Sequence, residues 1–339
     1  MAQELINLLK VVDTGLGTPA SWLLSLAKAK RTQPEKVERI LVNKWIGMGD
    51  VVVTLPALKR LREKYPSAKI DYLTHPRSSF PLKKSGLVDE IHEYNPVKDS
   101  AWQLIKKLRA NDYDLVIDLE QRYRFSTMLL FWSNPKWLVG FRVPGQGRGN
   151  LFDDGIPYPN KGHEAEKFGK VMESLGCLPI ENQLPNLAYA KSPITDTKTK
   201  VVIHISVGPA LLARKMSADT WNRIVGMLPQ DIELVITGTS DDANIAEAVQ
   251  QSTQLPVVNT VGKLTLDELC GVFDDAKLVI SSETGPMHLA AASKAVTIGL
   301  FPIGDPNQWK PFGEKNFGIL AVNQQIDWNQ LERLIQSAL

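Results

Sequence analysis

Short apolar runs alternate with helically periodic segments along this chain, and the alternation occurs twice. RILVN (39–43) is followed by Gly47-Met48-Gly49-Asp50 and a helical pattern from Thr54 to Tyr65. KIDYLTH (69–75), residues 88–94 and DLVIDL (114–119) read as further strands, with a helix over 102–110. The pattern restarts with VVIHIS (201–206), IELVIT (232–237), PVVNT (256–260), KLVIS (277–281) and VTIGLF (296–301). Helices are expected at 217–228, 240–252, 265–274, 286–293 and 327–338. Strands alternating with helices imply parallel pairing in a doubly wound sheet. The fold class is therefore α/β, with two doubly wound sheets.

At 339 residues the chain exceeds the size of most single cores. A helix over 163–176 leads into a proline-rich stretch, 179–196, that reads as the connection between domains. The expected division is an N-terminal helical extension (1–37), a first Rossmann-like domain (38–190) and a second (191–339). The last helix is a candidate to pack back on the first domain.

Hydrophobic residues make up 43% and charged residues 22%, with a net charge of +2. That balance is too small to imply nucleic acid as a partner, so anion binding must be local. No run approaches the roughly 20 apolar residues of a membrane span. No signal-peptide pattern is visible, and Cys177 and Cys270 stand far apart. A cytoplasmic protein is expected. Leu5, Leu8, Leu9 and Val12 predict one short helix, which Gly15, Gly17 and Pro19 should break. A second helix should then carry Trp22, Leu23, Leu24 and Leu26 with Lys28, Lys30 and Arg31. This basic amphipathic segment, 19–31, either packs on the protein or rests on an anionic membrane surface.

Ligands of open α/β sheets bind beyond the carboxyl ends of strands. Three places qualify. Asp50 follows the first strand; it is either a general base for a sugar hydroxyl or a helix cap. Arg214 and Lys215 lie in the loop after 201–206, where either can meet a phosphate. Ser281-Ser282-Glu283-Thr284-Gly285-Pro286-Met287-His288 joins a buried strand to a helix. There Thr284, Gly285 and the first-turn amides suit a diphosphate, Glu283 can accept from sugar hydroxyls, and His288 is either a ligand or a structural histidine. Arg122, Arg124, Arg142 and Arg148 either hold an anionic acceptor or pair with neighbouring acids. Neither Walker A, nucleophile elbow nor HExxH is present, and no histidine–cysteine spacing suits a metal. Metal-free chemistry is expected, with no cofactor.

NKWIGMGDVVVTLPALKRLREKYP resembles the opening of family 9 glycosyltransferases, the ADP-heptose:lipopolysaccharide heptosyltransferases. YDLVIDLEQRYRFS, HEAEKFGKVMESLG, the Lys215–Trp221 segment, SSETGPMHLAAA and VTIGLFPIGDPNQWKPFG continue the resemblance from about residue 38 to about 325. It implies a GT-B fold, two Rossmann-like domains facing a cleft. It also implies an inverting, metal-independent transfer of heptose from ADP-heptose to a lipopolysaccharide core acceptor. On that resemblance Asp50 is the base, Lys215 holds the donor phosphates, Thr284 and Gly285 contact the diphosphate beside His288, and Glu283 contacts the donor sugar. The lipid-linked acceptors of that family imply the inner face of the cytoplasmic membrane.

Glu283 stands where the family usually has Asp, and Glu120-Gln121 replaces a Gln-Gly pair. Residues 1–37 have no family counterpart. These departures point to a divergent member with an altered donor or acceptor. A transferase using a different nucleotide sugar, or a non-catalytic sugar-nucleotide or glycan-binding module, stays open as the alternative.

Overall fold

The computed structural model describes residues 2–26, 28–29, 31–195 and 198–339; Lys30 of the basic segment lies outside them. The chain divides into two compact units, Met1–Glu181 and Asn182–Leu339.

The first unit contains α1 (Ala2–Leu26), β1 (Arg39–Asn43), α2 (Met48–Lys64), β2 (Lys69–Thr74), α3 (Phe80–Ser85), β3 (Glu90–Glu93), α4 (Ala101–Ala110), β4 (Leu115–Asp118), α5 (Arg124–Trp132), β5 (Trp137–Arg142), β6 (Asp154–Pro157) and α6 (Glu164–Ser174). Its sheet runs β3-β2-β1-β4-β5-β6, and every pairing is parallel. Leu41, Val116 and Leu138 from β1, β4 and β5 join Leu104 and Leu108 of α4 and Leu129 and Leu130 of α5 in one apolar cluster.

The second unit contains β7 (Lys200–His204), α7 (Ala218–Val225), β8 (Glu233–Thr237), α8 (Ala243–Ser252), β9 (Val257–Asn259), α9 (Leu266–Asp275), β10 (Leu278–Ser282), α10 (Gly285–Ala291), β11 (Val296–Phe301), α11 (Pro306–Trp309), β12 (Phe317–Leu320) and α12 (Trp328–Ala338). Its order, β12-β11-β10-β7-β8-β9, is the same parallel topology. Trp221 of α7 is fully buried with Ile203, Leu234, Ile280 and Ile298. Leu331, Ile335 and Ala338 place the apolar face of α12 in this same core.

Several expectations need correction. The boundary falls after Glu181 rather than at 190, because Leu184 and Leu187 are buried and the connection bonds to the second unit. Tyr189 donates to the Leu289 carbonyl, and the Ala190 amide donates to Asp267. Helix α2 starts at Met48, six residues before the apolar pattern suggested, so Asp50 lies in its first turn. Strand β6 lies in a polar stretch rich in glycine and proline where no strand was expected. Helices α3 and α5 and strands β5 and β12 were not foreseen.

The predicted break at 15–19 does not occur: α1 runs through Gly15, Gly17 and Pro19. A proline inside a helix loses its bond to the carbonyl four residues back and its ring crowds that residue. Docking of α1 on its own unit offsets that cost. Asp13 accepts from the Arg124 and Phe125 amides at 3.1 and 2.7 Å and so caps α5. Thr18 accepts from Arg124 Nε at 2.9 Å. Gly17 lies so close that a Cβ would meet Arg124 Cδ at 2.8 Å. Asp13→Ala is expected to remove about 1 kcal/mol of stability with loss of the cap, read as a lowered melting temperature; an unchanged melting temperature would show that α1 does not support α5.

Candidate active site

In this topology the chain leaves β1 and β4 toward opposite sides of the sheet, which opens a gap at their carboxyl ends. The first unit fills that gap with charge. Lys44 follows β1, Asp50 sits in the first turn of α2, and Glu120 follows β4. The Lys44 ammonium lies 3.1 Å from Asp50 Oδ1 and 3.0 Å from Glu120 Oε2. Lys44 and Glu120 are buried, while Asp50 keeps 17% of its side chain exposed. Burial works against the Lys44 charge, but Asp50 and Glu120 outweigh it and hold its pKa above the usual lysine value.

Asp50 makes no side-chain cap bond to its helix, so the capping alternative is not realised. Gly47 explains how the carboxylate fits. Its φ of +107° suits glycine alone, and a Cβ there would meet Asp50 Oδ2 at 2.2 Å. The carboxylate therefore lies directly over the turn. Around it the scaffold is rigid. Asp118 accepts from Asn43 Nδ2 at 2.7 Å and from the Glu120 amide at 3.1 Å, and Glu120 Oε1 accepts from the Arg122 amide at 2.9 Å. Burial pushes the Asp118 carboxyl up, only partly offset by Arg148, Thr127 and Asn43.

The arginines separate. Arg122 is exposed and feels the charges of Asp50, Glu120 and Glu164. Arg142 is also exposed, at the end of β5, with Gly149 and Gly155 packed against its side chain. Arg124 is buried and committed to Asp13 and Thr18 of α1, because it opens α5 under that helix. That placement removes it from the acceptor-binding set. Arg148 is fully buried beside Asp118.

The second unit repeats the gap at β7 and β10. Glu283 follows β10 and is buried. One carboxylate oxygen accepts from the Gly304 amide at 3.2 Å, and the other lies 3.1 Å from Arg214 Nη1. Arg214 also donates to the Glu283 carbonyl at 3.1 Å. A Cβ on Gly304 would meet both Glu283 carboxylate oxygens at 2.4 Å, so glycine is what lets the carboxylate lie there. Thr284 donates to the Ser282 carbonyl at 3.3 Å, and Gly285 opens α10. His288 is buried with its ring edge toward Trp309.

Lys215 takes a different partner. It pairs with Asp242 at 2.8 Å, on the β8 side of the sheet. Burial opposes the Asp242 charge, yet bonds from Lys215, Ser206 and Thr239 hold its carboxyl below the usual range. Of the two adjacent cations that sequence left equal, Arg214 is the one at the Glu283–Gly285 loop. Neighbouring side chains at the end of this turn point apart, and the one-residue difference decides which meets the loop. Arg214 and Gly304 thus enter the site, as do Lys44 and Glu120. Lys44 had one sequence signal, its place directly after a strand that leads to a Gly-Asp turn.

Among the described residues one group has donors close enough for a metal, Asp71, Glu90 and His92. It lies at the start of β3, and Lys69 and Lys107 already place ammonium groups 2.9 and 3.0 Å from Glu90. Neither cysteine is in a disulfide, and both are buried. No described helix is long and apolar enough to cross a membrane.

A family-wide sequence profile, glycosyltransferase family 9 (heptosyltransferase), matches residues 101–334. The chain is similar to lipopolysaccharide heptosyltransferase 3 of Escherichia coli K12, with 24% identity over 300 residues that cover 82% of this chain and 86% of that protein. Among solved structures, the E. coli heptosyltransferase WaaC with ADP aligns at a TM-score of 0.74 and 20% identity, covering 89% of this chain and 100% of that one. The family 9 glycosyl transferase of Veillonella parvula aligns at 0.72 and 18%, covering 86% and 88%. The two Rossmann-like units are those of the GT-B fold. The chain belongs to glycosyltransferase family 9, the heptosyltransferases, and is a glycosyltransferase.

Proposed function

We propose that the protein transfers a heptose from ADP-heptose to a lipopolysaccharide-core acceptor, with inversion and without a metal. The observation that carries this reading is the Asp50 carboxylate, held over Gly47 and braced by Lys44 at the β1–β4 gap. A general base must be fixed, charged and open to the proton it takes. Asp50 meets those conditions: its partner is a cation and part of its side chain is exposed. In this reading the acceptor hydroxyl gives its proton to Asp50. Its oxygen attacks the anomeric carbon, and the bond from that carbon to the diphosphate oxygen breaks with its electron pair on the departing ADP. The charge that develops there needs donors. Arg214 with the Thr284 hydroxyl and the Gly285 amide supply them, a role we move from Lys215, which Asp242 holds. Glu283 addresses the donor sugar. Arg122 and Arg142 are the exposed cations for an anionic acceptor.

The same reading puts the enzyme on the cytoplasmic side of a membrane that carries its lipid-linked acceptor. Helix α1 supports a peripheral contact. Its polar Asp13 and Ser21 face the protein, while Leu16, Trp22, Leu23 and Leu26 are 54–68% exposed. A helix that only packed on its own protein would have the opposite polarity. Vesicles containing anionic lipid should co-sediment with the full chain and lose it when residues 1–37 are deleted; equal binding without those residues removes the helix from this role.

A melting panel of nucleotides tests the donor, since a ligand of the folded state raises the melting temperature with occupancy. ADP and ADP-heptose should raise it in the presence of a chelator. Response to UDP or GDP species alone would replace the donor, and no response at all would favour a binding module for other glycans. Asp50→Ala should cut turnover by about 100-fold or more and leave the ADP-heptose shift intact; retained turnover would show that Asp50 is not the base.

A further inference from the structure

We propose that Glu120 is a positioning residue for the base, which it serves by drawing the Lys44 ammonium partly away from Asp50. This inference rests on the reading of Asp50 as the base. The two contacts of Lys44 are alike in length and unlike in kind. The 3.0 Å contact to Glu120 is an aligned hydrogen bond, with both groups buried. The 3.1 Å contact to Asp50 Oδ1 is an ion pair whose geometry does not make a hydrogen bond. Both oxygens of Glu120 are occupied, one by Lys44 and the other by the Arg122 amide. Its position is therefore fixed from two directions.

The consequence is electrostatic. A carboxylate near an isolated ammonium is stabilised as the anion and is a poor proton acceptor. A second carboxylate on the same ammonium divides that charge. Asp50 then shares Lys44 with a second acid, while part of its side chain stays exposed to what approaches. A buried lysine with one acid partner would be a simple ion pair; with two it becomes a brace that one acid holds and the other uses. The other charged or titratable groups facing this triad are Arg122 and Tyr123 in the loop after β4, Tyr72 on β2, Asp118 on β4 and the buried Arg148. Lys44 contacts both carboxylates and is the group through which Glu120 reaches Asp50.

Glu120→Gln removes the charge and keeps the shape. Lys44 then directs its full charge at Asp50. The acid limb of kcat/KM should move down by about one pH unit. The plateau kcat should fall about tenfold, because the base is weaker. The melting shift with ADP-heptose should stay the same. Lys44→Gln is the complementary variant. It leaves Asp50 near an unbraced buried carboxylate, so the acid limb should move up. A merely structural role for Glu120 would lower the melting temperature and leave the limb where it was; that result overturns the proposal. The proposal also fails if both variants move the limb in the same direction. Asp50→Ala measured alongside keeps the two questions apart. If it retains turnover, the base assignment itself is wrong; if it is inactive and Glu120→Gln leaves the limb unmoved, only the role of Glu120 falls.

Discussion

A positive charge in a protein interior is tolerated only when paired, and the first unit is built around one such charge, Lys44. It stands at the point where the strand order reverses, so its partners come from separate elements: Asp50 from α2 and Glu120 from the end of β4. Lys44 joins the two acids, and removing it would leave the buried Glu120 carboxylate without its cation. That requirement locks the turn after β1, the start of α2 and the loop after β4 into one geometry. Gly47 permits it by leaving space for the Asp50 carboxylate, and Asp118 supports it from below through Asn43 and the Glu120 amide. The candidate base is thus positioned by the same interaction that ties these three segments together.

The second unit solves a parallel problem with the opposite polarity. There a buried carboxylate, Glu283, occupies the gap between β7 and β10 and is held by Arg214 and the Gly304 amide. Arg214 lies beside the Ser282–Gly285 loop and bonds to the Glu283 carbonyl as well as its carboxylate. Glu283 is longer than the Asp that the family resemblance leads one to expect, and its added reach ends on the backbone at Gly304, where any side chain would collide. The two departures from expectation near the chemistry, Glu120 and Glu283, both have a fitted partner in this structure.

The architecture was legible because central parallel strands are short apolar runs, as at Ile40–Val42, Leu115–Ile117, Val201–Ile203 and Leu278–Ile280. Strand β6 escaped because it is an edge strand whose residues, Asp154–Pro157, hold a single large apolar side chain, Ile156, while a glycine interrupts the apolar runs of β5 and β12, at Gly140 and Gly318. Local rules failed where tertiary contacts outweighed them. Gly15, Gly17 and Pro19 argue for a break, but Asp13 and Thr18 hold that segment against α5 and make close approach at Gly17 useful. Arg124 looked like its neighbour Arg122; only the presence of α1 above it distinguishes them. Asp50, Glu283, Thr284, Gly285 and His288 could be singled out because strand ends followed by glycine are visible in sequence. Whether Arg214 or Lys215 meets the Glu283–Gly285 loop is a matter of which way each side chain leaves the turn, and no spacing encodes that.

The central claim is that a single base delivers an acceptor oxygen to the face of the sugar opposite the departing nucleotide. The most direct measurement is the anomeric configuration of the product formed from ADP-heptose and a lipopolysaccharide-core acceptor with a chelator present, read from the one-bond carbon–hydrogen coupling at the new linkage. The account predicts turnover with the configuration inverted relative to the donor. A product that keeps the donor's configuration would require a second displacement and a nucleophile that this account does not contain, and would contradict it.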